Sequence, residues 1–182
     1  MGLAAEIERI AGLLDFSGAE LTGILASEPA PGERLYLCAF AAADGARSWL
    51  VVDADGGQVA DRRRVREAVW TAALCEVAGD LAFPGDLEEL RAHLLQVRML
   101  EAPPGIEEAE AAALALERTL GAPPELATPE RLDEIGAAAR RLETALDPTR
   151  PSAFAGAMQA AHATVEELAS EVESAYRLPL VD

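Results

Sequence analysis

Asp44-Gly45 stands between two apolar, aromatic-bearing runs, residues 34–40 and 47–52. An Asp-Gly pair in that setting is the strongest short-range signal for a β-hairpin, because both turn residues must reach positive φ. A two-residue turn there pairs Ala43 with Ala46 and sets Phe40 opposite Trp49 and Cys38 opposite Val51. Leu37 and Val52 then share the other face. That register matches aromatic with aromatic, which favours it. Apolar residues occupy both faces, so both are expected to be covered. Asp53-Ala54-Asp55-Gly56-Gly57 is a second turn, followed by a short third strand over 58–60. Asp61 is a suitable N-cap for a helix over 62–78, and Gly79 is its expected stop. Val69, Trp70, Ala73, Leu74 and Val77 form the face that this helix lays on the sheet.

Ahead of the hairpin, Leu3, Ile7, Ile10, Leu13 and Leu14 recur at helical spacing and predict a helix over 2–14. Ser17-Gly18-Ala19-Glu20 has the form of a capping box and predicts a second, short helix carrying Leu21, Ile24 and Leu25. Two short helices resemble a helix-turn-helix. Glu20 and Glu28 stand where a phosphate-binding helix needs cations, which argues against DNA. Residues 29–32 form a turn into the first hairpin strand.

Beyond Phe83-Pro84-Gly85, a domain boundary, every apolar stripe steps by three and four. The first is Leu87, Leu90, Leu94 and Val97; the second, after Pro103-Pro104-Gly105, is Ile106, Ala109, Ala113, Leu116 and Leu120. The third follows Gly121-Ala122-Pro123-Pro124 and the helix start Thr128-Pro129-Glu130, with Leu132, Ile135, Ala139, Leu142 and Leu146. Asp147-Pro148 ends it. The fourth is Phe154, Met158, Ala161, Val165, Leu168, Val172 and Ala175. Such steps suit helices packed nearly parallel or antiparallel. The expected fold is therefore α+β. N-terminal helices, a small antiparallel hairpin or three-stranded sheet and a covering helix fill 1–83, and an all-α bundle of about four helices fills 84–182. The two halves either stand as separate domains or merge into one core. The apolar ending at 178–182 docks on the body or frays.

The chain has 182 residues and a net charge of −17, with 15 basic residues, every one an arginine. Length allows one or two domains. The acidic balance argues against nucleic acid and anionic membranes as partners. The apolar runs are too short to span a bilayer, and the N-terminal stretch lacks the form of a signal peptide. Cys38 and Cys75 sit inside apolar patterns, as reduced core cysteines of a cytoplasmic protein do.

Candidate sites are few. Arg62, Arg63, Arg64 and Arg66 open a helix, where cations oppose the helix dipole unless anions are near. They either bind a phosphate or an acidic partner on the free backbone N–H groups, or pair with the chain's own carboxylates. Asp53-x-Asp55-Gly56 begins like a calcium loop, but position 64, where the closing glutamate belongs, is arginine, so a plain turn is expected. His93 and His162 stand on different helices without the Glu-x-x-His spacing of a bundle metal site, so no metal and no cofactor are expected. No phosphate loop, nucleophile elbow or Cys-x-x-Cys pair is present. The expectation is a non-enzymatic, acidic protein-interaction or adaptor module of the bacterial cytosol, its partner a protein, a second copy of the chain included. The alternative is a sensor of a small molecule or phosphate. Its pocket lies between Tyr36, Phe40 and Trp49 of the hairpin and Trp70 of the helix, with the Arg62–Arg66 cluster at the mouth.

Overall fold

The computed structural model describes residues 2–14, 18–82, 87–100, 105–121 and 125–175. These form six helices and a four-stranded sheet, so the protein is α+β. The chain runs α1 (Leu3–Leu13), β1 (Ala19–Ser27), β2 (Leu35–Ala42), β3 (Arg47–Val52), α2 (Arg62–Ala82), α3 (Leu87–Leu100), α4 (Ile106–Leu120), β4 (Leu126–Ala127), α5 (Pro129–Leu146) and α6 (Ala153–Ala175). Two compact units emerge, each discontinuous in sequence. The first holds Met1–Leu74, Pro123–Pro129 and Thr164–Asp182; the second holds Cys75–Ala122 and Glu130–Ala163. The expected breaks at 83–85, 103–104 and 123–124, and the 178–182 ending, lie outside the described residues.

In the first unit the strand order is β3-β2-β1-β4. The second expected helix is instead strand β1, paired antiparallel with β2. The register shifts between Leu21 and Gly23, so Thr22 is an extra residue in the ladder, its hydroxyl donating to the Ala39 carbonyl at 3.1 Å. That bulge explains the misreading. With one residue inserted, Leu21, Ile24 and Ala26, opposite Phe40, Cys38 and Tyr36, share a face at steps of three and two. A bulged strand thus imitates helical spacing. Ser17 of the expected capping box lies outside the described residues.

The hairpin stands where Asp44-Gly45 places it, one residue out of the expected register. The Ala42 N–H donates to the Ala46 carbonyl at 2.8 Å and the Gly45 N–H to the Ala42 carbonyl at 2.9 Å, leaving a three-residue loop. Gly45 has φ 83°, and no non-glycine residue has positive φ among the described residues. Asp44 keeps an ordinary backbone and accepts the Ala46 N–H at 2.9 Å with its side chain. This is a tight turn closed by one left-handed glycine, the usual three-residue solution. The slip moves Phe40 opposite Ser48, Cys38 opposite Leu50, Leu37 opposite Val51 and Trp49 opposite Ala39. Because side chains alternate with period two, Trp49 now lies on the face away from Tyr36, Cys38 and Phe40. On β2, Leu35, Tyr36, Leu37, Cys38 and Phe40 are all buried, so both faces of the central strand are covered.

The third strand over 58–60 shrinks to one bridge, Val52 to Gln58, with the Val59 N–H donating to the Val51 carbonyl at 2.9 Å. The fourth strand is the two-residue β4, parallel to β1, in a stretch whose prolines predict only a break. Asp61 caps α2, accepting the Arg63 N–H at 2.9 Å. The helix then passes through Gly79 to Ala82 instead of ending there. Gly79 does not adopt the positive φ that makes glycine a stop. Buried positions on α2 include Val65, Ala68, Val69, Ala72, Leu74, Cys75 and Ala78, while Trp70, Ala73 and Val77 of the expected face are half-buried.

In the second unit α3 and α4 pack together. Leu94, Ile106 and Ala109 form a buried cluster against which Leu90, Val97 and Ala145 lie. Arg91–Glu117 at 3.0 Å and Arg98–Glu110 at 2.8 Å join the same helices at the surface. Exposed pairs of this kind contribute little, so burial holds the pair of helices. Pro129 opens α5 and Ile135, Ala139 and Leu142 are buried, as their stripe predicts. Ser152 caps α6 by accepting the Ala155 N–H at 3.1 Å, and Glu143 accepts the Phe154 N–H at 2.9 Å.

Candidate functional site

Tyr36 is buried, and its hydroxyl donates to Glu6 Oε2 of α1 at 2.9 Å. The same oxygen accepts from Arg34 Nη1 at 2.6 Å, and Arg34 Nη2 reaches Glu28 at 3.4 Å. Arg34, and after it Tyr36, hold the Glu6 carboxyl below its ordinary range. Burial, and then Glu6, push the Tyr36 hydroxyl above its own. Tyr36 therefore belongs to a polar cluster tying α1 to β2. Trp49 lies on the opposite face and is 36% exposed. Phe40 is buried on the same face as Tyr36, so Trp49 is the hairpin aromatic set apart from the other two.

The arginine cluster is largely met by the chain's own acids. Arg63 pairs with Glu67 at 2.9 Å, one turn along α2. Arg64 pairs with Glu33, and Arg66 with Glu166 and, at 3.6 Å, Glu173 of α6. Arg62 is exposed and carries no ion pair among the described residues. Arg66 and Trp70 line a cavity of about 240 Å³ with Pro29, Thr71, Pro129 and Glu166, and Tyr36, Phe40 and Trp49 of the hairpin do not line it. Asp53 is a turn residue, its Oδ1 accepting the N–H groups of Asp55 at 3.0 Å and Gly57 at 2.9 Å. His93 and His162 are exposed, and among the described residues no cluster of His, Cys, Asp or Glu could hold a metal. Neither cysteine is in a disulfide and both are buried, and burial pushes the Cys38 thiol up to about 12.

A further cavity is one the sequence did not indicate. It measures about 730 Å³ and runs between α4 and α5 in the second unit. Glu108, Ala111, Ala112 and Ala115 form one wall, at steps of three, one and three along α4. Ala137, Arg140, Arg141, Thr144 and Ala145 repeat that spacing on α5. Each wall is thus one helical face about two turns long. Five of the nine lining residues are alanines, so the walls are shallow and apolar. Arg140 and Arg141 supply two guanidinium groups against the single carboxylate of Glu108. Neither arginine is in an ion pair among the described residues. Arg140 folds back over Gly136, where a Cβ would stand 3.2 Å from its Nη1. The second alanine face of α4, beside the Ile106–Ala109–Ala113–Leu116 face, was the available sequence signal. Alanine's helix propensity masks it, because alanine fits a core, a surface or a groove equally. No protein-family model, curated protein or solved structure matches the chain.

Proposed function

We propose that this chain is a non-enzymatic protein-interaction module of the bacterial cytosol, and that it holds its partner in the groove between α4 and α5. The observation that carries the proposal is the groove itself: about 730 Å³, walled by two helix faces and lined mainly by alanine. Short side chains let another helix approach toward the near end of the usual 8–10 Å interaxial range, about 8 Å. Helix-in-groove docking is a recurrent recognition mode that uses faces of this spacing. The polar lining supports binding over catalysis. Guanidinium groups stay protonated, and one carboxylate and one hydroxyl without a histidine or thiol make no acid–base or nucleophile pair. A reducing compartment agrees with two buried cysteines that form no disulfide, and no helix among the described residues is long and apolar enough to cross a membrane.

Affinity capture from native lysate with the wild type and with Ala111→Trp tests the proposal. Ala111 is exposed, so the indole enters the groove without entering the core. The expected result is a protein retained by the wild type and lost with the variant. Equal retention on both, or a stoichiometric metabolite with no protein, overturns it. The second reading is a small-ligand sensor, favoured by the cavity that Arg66 shares with Trp70. A metabolite whose capture is lost with Trp70→Ala and kept with Ala111→Trp would establish that reading instead.

A further inference from the structure

Resting on the groove as a protein-binding surface, we infer that its occupant is a helix with a small apolar contact stripe flanked on one side by Asp or Glu. The argument is charge complementarity. Acids outnumber bases 32 to 15 in this chain, and most described arginines have found a carboxylate or a carbonyl. Arg47, Arg62 and Arg118 have no ion pair among the described residues but stand singly. Arg140 and Arg141 are consecutive, equally unpaired, and open on one cavity. An apolar groove with two unneutralised guanidinium groups on one wall is a seat for carboxylates, which such groups bind through paired N–H donors. Two acids one turn apart on a docked helix lie on one face and reach both.

The rest of the chain's charge restricts where those acids can be. A helix acidic all round would be repelled by a surface of net charge −17, and a basic flank would meet Arg140 and Arg141. The acids therefore belong to one flank of the contact stripe, with a neutral or basic outer face. The wall length favours a helix over an extended peptide, since both walls present two turns of i, i+3, i+4, i+7 positions.

The test is a displayed library of helices about 20 residues long. Its contact stripe is fixed as Ala and Leu, and its flanks are randomised among Asp, Glu, Gln, Ser, Lys and Arg. It is selected on the full-length protein. Winning peptides are then measured by fluorescence anisotropy against the wild type, Ala111→Trp, Thr144→Trp and the double variant Arg140→Gln/Arg141→Gln, each checked for folding by circular dichroism. Asp or Glu should be enriched on one flank. Either tryptophan should abolish binding, and the arginine double variant should weaken it about ten- to a hundredfold, as expected for charged hydrogen bonds. Winners blocked by tryptophan but enriched in Lys or Arg, or indifferent to the arginine variant, overturn the acidic flank and leave the groove standing. Winners indifferent to both tryptophans, or no enriched helix, overturn the groove as well. A wild-type dimer in sedimentation that either tryptophan dissociates makes the occupant a second copy and overturns the inference.

Discussion

Replacing Gly79 with alanine should stabilise the protein, although glycine at that position has the sequence context of a helix stop. Gly79 lies inside α2, three residues before the helix ends at Ala82, and does not have positive φ. A glycine in a helix interior costs about 0.5–1 kcal/mol relative to alanine, mostly through backbone entropy. A Cβ built there finds its nearest neighbour, Leu120 Cδ2 of α4, at 3.9 Å, an ordinary contact. The site is half-buried, so the new methyl adds part of the roughly 0.8 kcal/mol that full burial contributes. The two terms together give a gain of about 1 kcal/mol. For a chain of this length each kcal/mol moves the unfolding midpoint by about 2–4 °C. Calorimetry and urea unfolding of the wild type and Gly79→Ala read both quantities. A loss of similar size would refute the reasoning: it would mean that Gly79 adopts the left-handed conformation, where a Cβ costs about 1–2 kcal/mol.

The α6 register gives a paired prediction. Leu168 is 40% exposed whereas Ala169 is 0% exposed. Ala169→Leu should cost about 1–3 kcal/mol by overpacking, and Leu168→Ala should cost under about 1 kcal/mol; thermal unfolding that ranks them the other way would refute the register. The Glu6 cluster gives a pH dependence. Because Arg34 and Tyr36 depress the folded Glu6 pKa below the ordinary 4.5, its stabilisation is present above that value and is lost as pH falls through the folded one. The urea midpoint of the wild type should exceed that of Glu6→Gln near neutrality, and the gap should close only below about pH 4.5; a gap independent of pH would count against the cluster.

What was legible follows from the range of the signals. The four later helices were readable because 3.6-residue periodicity is local and repeats: Leu90, Leu94 and Val97 of α3, and Ile135, Ala139 and Leu142 of α5, lie where their stripes put them. The misreading in α6 is a choice between steps. From Val165 a step of three reaches Leu168 and a step of four reaches Ala169; hydrophobicity favours the leucine, and the helix buries the alanine. The hairpin's location was legible from Asp44-Gly45, but the same dipeptide serves loops of two or three residues. That one-residue difference sends Trp49 to the other face. The bulge at Thr22 and the parallel pairing of Ala26 with Leu126 are long-range facts. Neither leaves a mark in its own stretch of sequence. The paired state of Arg63, Arg64 and Arg66 was foreseeable from charge excess alone, though not their partners Glu33 and Glu166.

The groove was the least legible feature, and the reason bears on its meaning. On α4, Ala109, Ala112 and Ala113 are buried while Ala111 is exposed, so one residue type serves both sides of the helix. Interiors pack to the density of organic crystals, and larger side chains at Ala111, Ala115 and Ala137 would fill the space between the two helices. Leaving it open forgoes burial worth about 25 cal/mol per Å² of apolar surface. A mutational bias toward alanine would explain small residues on either helix taken alone. It does not explain why the small faces of α4 and α5 oppose each other, or why the larger residues between them include two arginines that have no ion pair among the described residues in a chain so rich in acids. On the proposed reading these are one fact: the walls stay low so that a helix can approach, and the guanidinium groups stay unpaired because their carboxylates arrive with it.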